Sequence, residues 1–342
     1  MLENLKLILV STAPPHSGRG VYTFSLYNEL KRSIKPILIW KYRIRHGVIK
    51  QISLIPSVFA VRLLTRENTI VHFLSEGSSL ISPIVAGKKI VTIHDIPHGT
   101  VFFKLLKDSF DAIITVNEGI GVSLKKIFRK TSIYSIPLGV DSRIFRPFNK
   151  NRSREYLSIN KDSFVLFTSN GDPSKHVDIV LDVLRYLRVR YNLNVKLIVL
   201  GKPTKLTVQK VRNLGLDTVV VFLYDIPTRV LVHAYNSADL MLYLSTYDAC
   251  PLVVLEAMAC GLPVISTRVG SVPYFLRGYE ELMVEKFDDV ETIADKVFRL
   301  LNDKTSLDYY SRSLRQRVLK DFSWKRVAIE TMRVYKKVLR SV

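Results

Sequence analysis

The sequence predicts an α/β protein of two Rossmann-like halves, each a doubly wound parallel sheet, facing one another across a cleft. Three observations carry this. Short runs rich in Val, Ile and Leu alternate with amphipathic stretches through the 342 residues, the pattern of parallel strands covered on both faces by helices. The alternation occurs twice. Between the two series lies GVDSRIFRPFNKNRS (139–153), polar, basic and proline-containing, as a linker is.

The first series of strands is LKLILV (5–10), PILIW (36–40), TIVHF (69–73), KIVTIH (89–94), DAIITV (111–116) and TSIYSI (131–136). The second is SFVLFTS (163–169), NVKLIVL (194–200), TVVVFL (218–223), DLMLYL (239–244), PVIST (263–267) and ELMV (281–284). A helix is predicted over 176–190, because Val177, Val180, Leu181, Leu184 and Leu187 share one face at helical spacing. LVVLEAMA (252–259) is a second helix. Pro251 suits its first turn, and Gly261 with Pro263 stops it. No short-period repeat is visible.

The totals narrow the class. The length exceeds what one core usually organises, and the composition, 47% hydrophobic and 24% charged, is globular. Cys250 and Cys260 make no disulfide framework and fit a reducing compartment. MLENLKLILVSTAPP reads as a first strand, without the regions of a signal peptide. The most apolar run, 240–266, is broken by Asp248, Pro251, Glu256, Gly261 and Pro263, which argues against a membrane span. These features predict a cytoplasmic protein. The net charge of +21 calls for an anionic partner or reflects a basic proteome. A nucleic-acid binder is one rival reading, but the basic residues are not interleaved with stacking aromatics and no nucleic-acid motif is present.

Doubly wound sheets bind ligands at the carboxyl ends of their strands. The stretch DACPLVVLEAMACGLPV (248–264) begins just after such an end, with Asp248 before a short helix and Glu256 within it. The helix start favours an anion. Eight residues of helix rise about 12 Å, so the two acids could serve opposite sides of a diphosphate, as in a nucleotide sugar. Pairing each acid with a nearby Arg or Lys is the ordinary alternative.

LEAMACGLPVISTRVGSVP, with an acid eight residues before its Glu, closely resembles the retaining GT-B glycosyltransferases of family 4, the glycosyl transferases group 1. VVFLYDIPTRVLVHAYNSADLMLYLST (220–246) is similar to the segment leading into that signature. The resemblance implies that Glu256 accepts hydrogen bonds from ribose hydroxyls. It implies that Asp248, one methylene shorter than the family's Glu, faces the donor sugar. Ala249, Cys250, Pro251 and Leu252 then line the donor, aided by backbone N–H groups. FTSNGDPSKHVDIVLDVL (167–184) resembles the phosphate loop, where an Arg precedes a Lys by five residues. The Lys is Lys175, but Asn170 stands at the Arg position, and Arg268 is a candidate replacement cation. APPHSGRGVYTFSLYNEL (13–30) resembles the glycine-rich loop, with Gly18 and Gly20 the matching residues. VTIHDIPHG (91–99) resembles the His-Asp pair whose His, here His94, hydrogen-bonds the donor sugar. ITVNEGIGVSL (114–124) and SIPLGVD (135–141) follow family segments, with Leu138 at a usual Asn. DFSWKRVAIETMRVYKKVL (321–339) resembles the helix that returns to the first domain.

The implied organisation is an acceptor-side domain over 1–146, joined by the helix at about 325–342, and a donor domain over 147–324. The implied activity is transfer from a UDP- or GDP-sugar to a glycan or lipid-linked acceptor, with retention. A non-catalytic sugar-nucleotide-binding or scaffold protein on the same fold is the alternative. No Asp-X-Asp motif and no His/Cys cluster with ligand spacing is present, so neither a catalytic metal nor a cofactor is expected. Residues 1–146 carry 21 Lys and Arg against 9 Asp and Glu, a net +12. Within them 30–66 hold no acid and include Lys41, Arg43 and Arg45, and LKKIFRK (124–130) adds a second basic cluster. Trp40, Tyr42 and Phe59 lie among the first group, and such aromatics favour interfaces. An anionic membrane surface, met by the first domain, is the expected partner of this charge.

Overall fold

The computed structural model describes residues 5–40, 64–65, 69–96, 106–169, 173–285 and 289–340. The chain forms two compact units, Met1–Gly139 with Trp324–Val342, and Val140–Ser323.

In the first unit the elements are β1 (Lys6–Ser11), α1 (Gly18–Leu30), β2 (Ile37–Trp40), β3 (Thr69–Phe73), a 3₁₀ segment (Glu76–Ile84), β4 (Lys88–Ile93), β5 (Ala112–Thr115), α2 (Glu118–Lys125) and β6 (Ser132–Ser135). The strands pair in the order β2-β1-β3-β4-β5-β6, all parallel. Leu7, Ile8, Leu9, Ile70, Val71 and Ile90 are wholly buried, as strands covered on both faces must be.

In the second unit α3 (Lys150–Tyr156) leads to β7 (Phe164–Ser169), a 3₁₀ turn (Pro173–Lys175), α4 (Val177–Arg190), β8 (Val195–Leu200), α5 (Lys205–Asn213), β9 (Val220–Leu223) and α6 (Thr228–Ser237). β10 (Leu240–Tyr243), α7 (Leu252–Ala259), β11 (Val264–Thr267), α8 (Val272–Phe275), β12 (Met283–Val284), α9 (Val290–Asn302) and α10 (Lys304–Asp321) follow. The order is β12-β11-β10-β7-β8-β9, again parallel. The predicted apolar face of α4 is buried: Val180, Leu181, Leu184 and Leu187 are 0% exposed. Each such side chain contributes about 1.5–3 kcal/mol.

The final helix, α11 (Trp324–Arg340), belongs to the first unit. It buries Trp324, Val327, Ala328, Thr331, Val334, Tyr335 and Val338, one stripe at helical spacing. Beneath it the Tyr335 hydroxyl meets His72 Nδ1 at 2.7 Å, and His72 Nε2 meets Thr92 Oγ1 at 2.8 Å. Burial pushes the His72 imidazole down to about 3, so it is neutral. Among the described residues no helix is long and apolar enough to cross a membrane.

All twelve strands lie where the apolar runs predict them, within two residues at each end. The strand orders locate the crevices. A doubly wound sheet opens where neighbouring strands send their connections to opposite faces. In the first unit this is between β1 and β3; in the second it is between β7 and β10.

Candidate functional site

At the second unit's switch point the loops after β7 and β10 are laced together. The Thr246 N–H donates to the Ser174 carbonyl at 2.9 Å, and the Thr246 hydroxyl is hydrogen-bonded to His176 Nε2 at 3.0 Å. His176 sits in the left-handed region, φ 44°, turning the chain into α4. That turn directs Lys175 across to β10.

Lys175 and Asp248 meet there. The Lys175 ammonium donates to Asp248 Oδ2 at 2.5 Å and to the Tyr243 hydroxyl at 2.7 Å. The Tyr243 hydroxyl in turn donates to Asp248 Oδ2 at 2.7 Å. Asp248 Oδ1 accepts the Cys250 N–H at 3.1 Å, an Asx-type closure of the loop. The alternative of a paired acid thus holds for Asp248: its partner is the cation expected at the phosphate. Side-chain exposures of 13% for Lys175 and 23% for Asp248 leave both at the surface of the crevice.

The loop is clamped from its far side. The Ser271 N–H donates to the Ala249 carbonyl at 3.0 Å, and the Thr267 hydroxyl to the Ser245 carbonyl at 2.5 Å. Gly270 makes this approach possible. Its φ is +50°, and a Cβ there would lie 2.0 Å from the Asp248 carbonyl oxygen and 2.4 Å from that of Ala249. Pro251, which has no N–H, occupies the N-cap of α7 rather than its first turn. Leu252 is half-buried at the helix start.

Glu256 lies one turn into α7, half-buried. Its Oε2 accepts the Tyr235 hydroxyl at 2.8 Å. Burial pushes its carboxyl up to about 7, against the lowering effect of that hydrogen bond. Arg268 does not join these groups: its Nε donates to Glu285 Oε1 at 2.7 Å. Asn170 lies outside the described residues, as do Lys41, Arg43 and Arg45.

The remaining candidates are in the first unit. Gly18 opens α1 behind the Ser17 N-cap, whose hydroxyl accepts the Gly20 N–H at 3.1 Å. Gly20 is required by the chain itself, since a Cβ there would lie 2.0 Å from the Pro14 carbonyl oxygen. His94 follows β4 and is 6% exposed. Its Nε2 is 3.0 Å from the Leu74 carbonyl. A carbonyl only accepts, so Nε2 carries the proton. Burial lowers the imidazole pKa against the opposing charge of Glu76, and the neutral ring keeps Nδ1 as an acceptor.

Sequence reasoning missed Glu76, Tyr235, Tyr243 and Gly270. Glu76 is 6% exposed at the first unit's switch point. Its Oε1 accepts the N–H groups of His94 at 2.5 Å and Asp95 at 2.9 Å, and Arg19 Nε lies 3.6 Å from its Oε2. The available signal was a single acid just past a strand end, in LSEGSS. Among the described residues no group of three or more His, Cys, Asp or Glu could hold a metal ion.

Comparison with known proteins adds the following. Residues 149–317 match the family described as Glycosyl transferases group 1. The MMP alpha-(1->4)-mannosyltransferase of Mycolicibacterium hassiacum is 27% identical over 211 residues, which are 61% of this chain and 49% of that protein. The chain spans about half the length of the curated relatives it matches. In fold it is similar to the sucrose-phosphate synthase of Thermosynechococcus elongatus, with a TM-score of 0.81 and 17% identity over 98% of this chain and 100% of that one. It is also similar to Anabaena HepE, solved in complex with UDP and glucose, with a TM-score of 0.79 and 15% identity over 97% and 99% of the two chains. Two six-stranded parallel sheets with their covering helices therefore give this chain the GT-B glycosyltransferase fold, and its second unit, over residues 149–317, is similar to Glycosyl transferases group 1.

Proposed function

We propose that this protein transfers a sugar from a nucleoside-diphosphate sugar to an acceptor hydroxyl, with retention of anomeric configuration and without a metal. The observation that carries the reading is the grouping at the second unit's switch point: Lys175, Asp248, the start of α7 and the half-buried Glu256 on that helix. A diphosphate suits the ammonium and the helix start, and ribose hydroxyls suit a carboxylate one turn further on. Glu256 holds the ribose. Lys175 and the start of α7 face the diphosphate, and stabilise the charge that grows on it as the glycosidic bond breaks. Asp248 orients Lys175 and faces the donor sugar. His94, protonated on Nε2, receives a donor-sugar hydroxyl on Nδ1. No protein side chain is assigned as general base.

Anabaena HepE binds UDP-glucose, which puts UDP-sugars first among candidate donors, with GDP-sugars next. The second unit is the donor side, and the first, with α1 and His94, the acceptor side. The acceptor is a glycan or a lipid-linked glycan. The location is cytoplasmic, at an anionic membrane face met by the basic first unit. Lys125, Lys126, Arg129 and Lys130, all exposed, contribute to that charge.

A thermal-shift panel of UDP-, GDP-, ADP- and dTDP-sugars tests the reading, since a ligand at a hundred times its Kd stabilises by about 2.7 kcal/mol. One donor class should raise the Tm of the parent, and Glu256→Gln should weaken its binding by about tenfold to a hundredfold. Product anomers read by NMR should match the donor, and a chelator should leave the rate intact. A protein stabilised by no nucleotide sugar, or a Glu256→Gln variant that binds like the parent, would refute it.

A further inference from the structure

The Glu256 side chain is anchored from outside its own helix. Tyr235 is the eighth residue of α6, 1% exposed, with its ring 4.7 Å from that of Phe167 on β7 and 6.1 Å from that of Phe145. A ring so enclosed has few orientations. Its hydroxyl therefore points one way, and it reaches Glu256 Oε2 at 2.8 Å. Among the described residues Glu256 Oε1 accepts no hydrogen bond. One carboxylate oxygen is thus pinned to the core and the other is presented. We infer that Tyr235 is a positioning residue of the donor site, holding Glu256 in the rotamer that meets the ribose.

This rests on the ribose role proposed for Glu256. A buried tyrosine needing any acceptor would satisfy itself on a carbonyl, and it would leave Glu256 free to choose its rotamer. Here the acceptor is the carboxylate itself, and the hydrogen bond favours the charged form that accepts hydroxyls. The groups facing Glu256 are Tyr235 from α6 and Cys260 from the end of α7, with Tyr243 of β10 and Arg315 of α10 behind them. Burial drives both Tyr235 and Cys260 upward from ordinary values that already lie above the neutral range. Glu256 is then the member of that group that changes charge near neutrality.

The test uses the full chain with UDP and GDP as probes, titrated from pH 5.5 to 8.5. Tyr235→Phe keeps the ring and removes the hydroxyl. It should weaken nucleotide binding about fivefold to thirtyfold at pH 7. It should move the acid limb of binding to higher pH, and raise donor KM more than it lowers kcat. On a Glu256→Gln background the same change should add no further loss in affinity, because Tyr235 acts through Glu256. That cycle also separates positioning from a packing defect, which would weaken binding on both backgrounds. A Tyr235→Phe variant with parental affinity and pH profile, beside a weakened Glu256→Gln, would overturn the positioning role and leave the ribose reading standing. A Glu256→Gln variant with parental affinity would overturn both.

Discussion

Lys175 does two jobs that a single substitution confounds. Its ammonium lies 2.5 Å from Asp248 Oδ2 and 2.7 Å from the Tyr243 hydroxyl. Replacing it by methionine leaves Asp248 with two neutral donors, the Tyr243 hydroxyl and the Cys250 N–H, and no counterion. A hydrogen bond to a charged group is worth roughly 1.5–3 kcal/mol. Both side chains keep some solvent, so about 2 kcal/mol is the expected loss. For a unit of this size each kcal/mol moves the midpoint by about 2–4 °C, which predicts a fall of about 4–8 °C. Asp248→Asn in the Lys175→Met background removes the orphaned charge and should recover most of that fall. Transfer should not recover with it, because the diphosphate has still lost its cation. Scanning calorimetry of the parent, both single variants and the double gives the coupling energy, and donor turnover gives the second axis. A coupling below about 0.5 kcal/mol would mean that the pair contributes nothing. A double variant that transfers sugar at the parental rate would remove Lys175 from the phosphate site.

Three further outcomes are expected. The Glu256 carboxyl is pushed up to about 7 from an ordinary 4.5, so between those values the folded state holds more protons than the unfolded. Its contribution to stability is therefore greatest below pH 4.5 and is lost as pH rises to about 7, by at most about 3 kcal/mol. Denaturant midpoints at pH 5 and pH 7.5 should show that slope in the parent and a flatter one in Glu256→Gln; equal slopes would contradict it. Gly270→Ala, with its Cβ 2.0 Å from a backbone oxygen at φ +50°, should destabilise the second unit by more than about 1 kcal/mol and lower nucleotide affinity. Thermal melts and UDP titration check it, and a parental melt would show that the 268–272 turn yields freely. Co-sedimentation should find the protein on anionic vesicles at low salt and released at high salt, at about 1 kcal/mol per basic side chain near the surface. Equal binding to neutral and anionic vesicles, or undiminished binding after neutralising Lys41, Arg43 and Arg45, would end the membrane proposal.

The sequence by itself determined the strands and the helices over 176–190 and 252–259. Those are near-neighbour properties. KLILV can bury both faces only as a covered strand, and LVVLEAMACGLP carries its own start and stop signals. Glu256 and Asp248 could be nominated because they stand in a loop and a first turn that follow a strand, and Lys175 and His94 because their segments resemble those of a known family. Their partners could not be read. Lys175 and Asp248 are 73 positions apart, and they meet because β7 pairs with β10 rather than with β9. Tyr235 reads in sequence as one more apolar residue of α6, and only its packing on Phe167 aims the hydroxyl at Glu256. Glu76 also stands just past a strand end, but only the neighbouring of β3 and β4 sets its carboxylate against the amides of His94 and Asp95. The energy of a hydrogen bond or ion pair depends on distances of a few ångströms across strands remote in the chain. Strand order, a property of the whole sheet, decides which side chains come that close.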